Sequence, residues 1–188
     1  MVLHGLGDSL EGFLWMPQML RLPWMNYLLV NAPDPYVMGY QWYDLMDPAP
    51  GVRRSRGMLD GLFGELAEQG WESRDILLFG FSQGCLMSFD FATRHAQPLA
   101  GVVGVSGYIF EPEAIAREMH PCAREQAWLV THGTTDDLLP LSRTQAQMET
   151  LRGLGLPIEM HVFEKGHTID PEDEIALFRR WISARWDD

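Results

Sequence analysis

Gly80-Phe81-Ser82-Gln83-Gly84 sets a serine between two glycines, after an apolar run from Ile76 to Phe79 and before an amphipathic stretch. A strand, a sharp turn and a helix in that order lift a hydroxyl out of the backbone at the edge of a sheet. Small flanking residues, here Gly80 and Gly84, let backbone and helix approach closely. A hydroxyl is a weak nucleophile and needs a base, itself oriented by a third group. With such a turn the chain order is serine, then acid, then histidine. Downstream, Trp128–His132 reads as a strand ending in Gly133-Thr134-Thr135-Asp136-Asp137, and Ile158–Phe163 as one ending in Glu164-Lys165-Gly166-His167. Both offer their polar residues just past the carboxyl end of a strand, where open α/β sheets bind ligands. Ser82 is therefore the candidate nucleophile, His167 the base, and one acid of the Asp136-Asp137 pair the orienting group. His95 at a helix end, His120 in a connection and His161 within a strand read as structural or solvated.

Acyl transfer through such a serine also needs two preorganised N–H donors for the oxyanion. The amide after the nucleophile, Gln83, is one. The second is expected from His4-Gly5-Leu6-Gly7-Asp8, with Leu6 as donor and Asp8 holding the loop. Cys85, a helical turn past Ser82, reads as a small packed residue and not as a second nucleophile.

The elements that must position these groups alternate. Strand-like runs at Met1–His4, Tyr27–Asn31, Asp75–Gly80, Leu99–Val105, Trp128–His132 and Ile158–Phe163 are separated by helical patterns, which implies a mostly parallel sheet with helices on both faces. Met58, Leu59, Leu62, Phe63 and Leu66 define one helix, with Gly70 as its stop; Asp170-Pro171-Glu172-Asp173 opens another, whose stripe is Ile175, Phe178, Trp181, Ile182 and Trp186. Residues 33–51 read as a long irregular loop. The 188 residues suit one domain spanning 1–188.

A net charge of −12 disfavours nucleic acid and anionic membranes as partners. No apolar run reaches the ~18 residues of a membrane span and no signal peptide opens the chain. Two cysteines and six scattered histidines point to a reduced, cytoplasmic protein without a metal site.

Taken together, His4-Gly5-Leu6-Gly7-Asp8, Trp42-Tyr43-Asp44, the Ser82 pentapeptide, Ser106-Gly107-Tyr108, His132-Gly133 with Asp136 and Pro140, and Gly166-His167 resemble the phospholipase/carboxylesterase family, nearly end to end. That resemblance implies an α/β-hydrolase fold and a cofactor-free, cytosolic serine esterase acting on carboxylic esters or thioesters. Acyl-protein thioesterase or lysophospholipase-type activity is the alternative within the family, and a catalytically silent binding module or a peptidase the alternative outside it. It also favours Asp136 over Asp137, since Asp136-Asp137-Leu138-Leu139-Pro140 matches the family's pattern of Asp, any residue, two aliphatics and Pro. Members carry about two strands before HGLGD, whereas here three residues precede it. The expectation is a six-strand, all-parallel sheet in the order 2-1-3-4-5-6, lacking the N-terminal strands. Its edge strand Tyr27–Asn31 would need cover from a partner, such as a second copy in a homodimer, unless the start codon is assigned too late. No insertion is long enough for a cap domain, so the site should be open. Its walls are expected from Trp15, Met16, Met38, Tyr40, Trp42, Leu138 and Leu139, suiting short-to-medium, uncharged acyl esters and thioesters.

Overall fold

A computed structural model describes residues 1–186 of the chain. Its elements run β1 (Val2–Leu3), α1 (Met16–Leu20), β2 (Leu29–Val30), β3 (Asp34–Tyr36), β4 (Gly39–Gln41), α2 (Pro48–Glu68), β5 (Leu77–Phe81), α3 (Gln83–Ala92), β6 (Gly101–Val105), α4 (Pro112–Glu118), α5 follows β7 (Trp128–Gly133) at Leu141–Gly153, and α6 (Asp173–Ser183) follows β8 (Ile158–Phe163). Six strands form one parallel sheet in the order β2-β1-β5-β6-β7-β8. That is the expected order and direction. The central strands β5, β6 and β7 are buried almost throughout because helices cover both faces. One apolar layer joins Leu78, Val102 and Val130 to Leu59, Phe63, Phe89 and Met148; the opposite layer joins Phe79, Val103 and Leu129 to Phe13, Met16, Ile175 and Phe178. Strand β2 forms the expected edge, with Leu28 beside it exposed.

Residues 33–51 are more regular than the sequence suggests. They hold an antiparallel hairpin, β3 with β4, and the start of α2. Pro35 within β3 and a turn at Val37 rather than at glycine hide the hairpin signal. Helix α2 begins ten residues before Met58, at Pro48, because Pro48 occupies the first helical position, where a missing N–H costs nothing. Gly51 lets that first turn cross the chain, since a Cβ there would lie 2.7 Å from Tyr43 Cα. At its other end Gly70, with φ of 92°, terminates the helix as expected.

Asp170 caps the final helix through Oδ1, which accepts from the amides of Glu172 (3.1 Å), Asp173 (2.8 Å) and Glu174 (3.3 Å). The stripe Ile175, Phe178, Trp181 and Ile182 is buried, and Trp186 is partly so. The connection between β6 and β7 contains α4 and a short 3₁₀ turn, and no cap domain stands over the carboxyl edge of the sheet among the described residues. No helix there is long and apolar enough to cross a membrane.

Candidate active site

Strand β5 turns into α3 through Ser82, whose φ of 54° and ψ of −114° fall in a region side-chain-bearing residues rarely adopt. Neighbouring glycines make this turn fit. A Cβ on Gly80 would lie 2.2 Å from Gly84 O, and one on Gly84 would lie 2.1 Å from Leu3 O. The elbow is thus wedged against β1, and Ser82 N donates to Val105 O at 2.9 Å on its other flank.

The serine meets groups from two further strand ends. Ser82 Oγ lies 2.9 Å from His167 Nε2, and His167 Nδ1 lies 2.8 Å from Asp136 Oδ2. Asp136 Oδ1 accepts from the amides of Leu138 (3.1 Å) and Leu139 (2.8 Å), so its carboxylate cannot rotate without losing two bonds. Burial pushes the Asp136 carboxyl up, but the Leu139 amide and the His167 and His132 rings outweigh it and hold the group below the usual carboxylate range. Asp137 is exposed.

Gln83 directly follows the serine, and Gly5, next to Leu6, packs against it, since a Cβ on Gly5 would lie 3.3 Å from Ser82 Cβ. Gln83 is the first residue of α3, whose amide has no partner within the helix. Gly7 N donates to Tyr40 O (2.8 Å) and Asp8 N to Gly5 O (3.3 Å), while no acceptor is found for the Leu6 amide among the described residues. Asp8 holds this loop as expected, its Oδ1 accepting from Ser9 N at 2.7 Å. Cys85 is buried at the foot of the elbow, and burial pushes its thiol up to about 12, which leaves it a packing residue.

A cleft of about 490 Å³ opens beside His167. Apolar side chains from the segment after β1 (Phe13, Trp15) and from α1 (Met19) line it together with others from the end of β5 (Phe81), the β8–α6 connection (Ile169) and the first turn of α6 (Ile175). Of the residues expected on the walls, Trp15 lines this cleft. Met16 and Trp42 are corrected: both are interior. Trp42 is pinned from three sides, its amide donating to Gln83 Oε1 (2.9 Å), its indole Nε1 to His4 O (2.8 Å) and its carbonyl accepting from Ser55 Oγ (2.6 Å). Tyr40 is half-buried in β4 against the core, Met38 stands 94% exposed at the hairpin tip, and Leu138 is exposed beside the acid. Leu139 is half-buried, committed through its amide to Asp136 and through its carbonyl to His132.

Sequence reasoning missed Phe13, Met19, Phe81, Ile169 and Ile175 as lining. It also missed two polar supports. His132 is fully buried, with Nε2 2.7 Å from Leu139 O and 3.5 Å from Asp136 Oδ2, and burial lowers its pKa from the ordinary histidine value. Lys165 is buried two residues before His167. Its available signal was a lysine in a strand-end turn otherwise committed to packing.

The other histidines are engaged structurally. His95 Nε2 bonds Ser73 Oγ, His120 Nδ1 faces Cys122 Sγ, and His161 pairs with Glu159. No cluster of metal-ligating side chains occurs among the described residues.

A parallel sheet covered on both faces, with a positive-φ serine at the strand–helix elbow and a hydrogen-bonded Asp–His pair beyond the ends of β7 and β8, defines an α/β-hydrolase fold. The sequence profile of phospholipase/carboxylesterases matches residues 1–183, and the chain belongs to that family of hydrolases, carboxylesterases and thioesterases. It is 29% identical to an acyl-protein thioesterase 1 of Schizosaccharomyces pombe, over 94% of this chain and 86% of that protein. An acyl-protein thioesterase 1 of Yarrowia lipolytica is 28% identical over 73% of this chain and 68% of the relative. Among solved structures, SOBER1 of Arabidopsis thaliana superposes with a TM-score of 0.90 at 20% identity, covering 99% of this chain and 97% of that one, a likeness of fold. The esterase PE8 superposes with a TM-score of 0.85 at 26% identity, over 97% and 90% of the two chains.

Proposed function

We propose that this protein is a serine esterase, with residues 1–188 as one catalytic domain, that hydrolyses short-to-medium acyl esters and thioesters through an acyl-enzyme on Ser82. The observation that carries this reading is the unbroken line of contacts from Ser82 Oγ to His167 (2.9 Å) and from His167 to Asp136 (2.8 Å). His167 Nε2 takes the proton of Ser82 Oγ as that oxygen adds to the substrate carbonyl. Asp136 holds the ring by its Nδ1–H and stabilises the imidazolium. The tetrahedral oxyanion lies between the Leu6 and Gln83 amides. Collapse breaks the bond to the alcohol or thiol, which leaves with the proton from His167. Water then gives a proton to His167 and adds to the acyl carbon, and the second collapse releases the acid and returns the proton to Ser82.

The apolar cleft supports the substrate class, since each buried CH₂ of an acyl chain contributes about 0.8 kcal/mol. Its openness at the carboxyl edge supports broad tolerance for the leaving group. With a net charge of −12, anionic esters are disfavoured, and added salt narrows that gap. We also read the enzyme as cytoplasmic, its two cysteines free and buried. The relatives named acyl-protein thioesterase support thioester hydrolysis on acylated proteins as a second reading.

A fluorophosphonate probe should label Ser82, and Ser82→Ala should abolish both labelling and turnover of p-nitrophenyl butyrate, a loss of at least ~10⁴-fold. A variant that kept a tenth of the parental kcat would exclude Ser82 as nucleophile. Hydrolysis of peptides or long-chain triglyceride emulsions, with none of short acyl esters, would overturn the substrate class.

A further inference from the structure

Lys165 and Glu174 form an ion pair shut away from solvent, their side chains 3% and 0% exposed. Nothing in the proposed chemistry uses either group. Lys165 Nζ donates to both carboxylate oxygens of Glu174, at 2.6 and 2.7 Å, and to Thr168 O at 2.8 Å. Glu174 Oε2 also accepts from Asp170 N at 2.7 Å. These four bonds close residues 165–170, the segment carrying His167, onto the first turn of α6. The main chain of Lys165 then reaches the other way, its carbonyl accepting from Thr135 N at 3.1 Å, one residue before Asp136. The contact is tight, for a Cβ on Gly133 would lie 2.2 Å from Lys165 O.

One residue therefore joins three parts of the molecule: the loop of the base, the loop of the acid and the capped start of α6. Burial of two charges is costly, and well-packed apolar residues commonly replace such a pair without loss of stability. Stability alone therefore gives weak reason for this pair in this place. Resting on the catalytic reading above, we infer that Lys165 and Glu174 are positioning residues: a buried strut that sets the distance between His167 and Asp136 and so the aim of the imidazole at Ser82. Salt bridges at the surface tolerate a wandering side chain. A pair with both carboxylate oxygens and a backbone carbonyl engaged does not, and a shift of about 1 Å at a reacting group can cost on the order of a hundredfold in rate.

The test separates fold support from aim. Lys165→Met leaves the Glu174 carboxylate buried without its cation and should lower both Tm and kcat. Lys165→Met combined with Glu174→Met removes both charges at similar volume and should regain most of the Tm. Its kcat on p-nitrophenyl butyrate should stay about ten- to a hundredfold below the parent, with KM within about twofold. In the same variant the downfield proton resonance of the His167 Nδ1–H bonded to Asp136 should broaden or vanish. A double variant with parental kcat and an intact downfield resonance would overturn the strut. That resonance is read without turnover. Its loss in the double variant, in a protein whose parent hydrolyses nothing, would uphold the strut and sink the esterase reading. Should the double variant not fold, Glu174→Gln removes the charge and one of the two acceptor oxygens. The same fall in kcat at unchanged KM is expected there, and a parental kcat would count against the strut.

Discussion

The proposed reacting trio and the cleft beside it occupy the same edge of the sheet, yet they are held in different ways. Each member of the trio sits at or just beyond the carboxyl end of a different strand, β5, β7 or β8, and has a bond that fixes its direction: Ser82 through its wedged backbone, Asp136 through two amides, His167 through the Asp136 carboxylate. The apolar side chains of the cleft wall have no such bonds of their own among the described residues. Trp15, Met19 and Ile169 are half-buried apolar side chains that meet by shape alone. Directional bonds make a site intolerant of change, while an apolar wall trades contacts gradually. Substitutions in the first region should therefore act as switches on rate, and those in the second as dials on chain-length preference.

The largest contrast is expected within two adjacent residues. Asp136→Asn should lower kcat by about 10⁴-fold by favouring the wrong imidazole tautomer, whereas Asp137→Asn, at an exposed position, should stay within about threefold of the parent. Steady-state kinetics of the two variants on one ester checks this, and equal losses would erase the distinction between bonded and unbonded positions. In the cleft, Trp15→Ala should leave acetyl ester hydrolysis within about twofold. It should change the kcat/KM ratio of hexanoyl to butyryl esters by about fourfold for each CH₂ whose burial is altered. An equal loss on every chain length would mean that Trp15 supports the trio and not the wall.

The smallest effect concerns stability. Burial lowers the pKa of His4, His95 and His132 from the ordinary histidine value. Below about pH 6.5 the unfolded chain therefore binds more protons at these rings than the folded chain does. Their neutral forms are accommodated above that pH, and stability falls as pH drops from about 6.5 toward the folded-state values. A thermal melt at pH 5 should lie several degrees below one at pH 7.5, and His95→Gln should reduce the difference. A Tm independent of pH over that range would contradict it.

The difference between the regions also governs what could be read in advance. Ser82, the two strand-end turns and the sheet order were legible because backbone geometry demands glycines and because buried parallel strands are apolar runs. His167 followed from its place after β8. Trp42 shows the limit. An aromatic residue in a loop looks like a wall, and only the distant acceptors and donors on Gln83, His4 and Ser55 turn it inward. Ile175 shows the converse, a helix-stripe residue read as core that also borders the cleft. The start of α2 was hidden by Pro50 and Gly51, which weaken a helical pattern although neither interrupts the first turn. Lys165 and Glu174 lie nine residues apart and give no local sign that they meet.

The unusual backbone of Ser82 sets the most stable form of this chain apart from its active form. A residue with a side chain at φ 54°, ψ −114° costs on the order of 1–3 kcal/mol, held down by the packing of Gly80 and Gly84 around it. Glycine adopts such angles freely. Ser82→Gly, inert as a hydrolase, should therefore unfold no more readily than the parent despite the looser unfolded chain that glycine brings. On the proposed mechanism, selection for thermal robustness alone would drift toward that inactive protein, and the strained serine trades robustness for turnover.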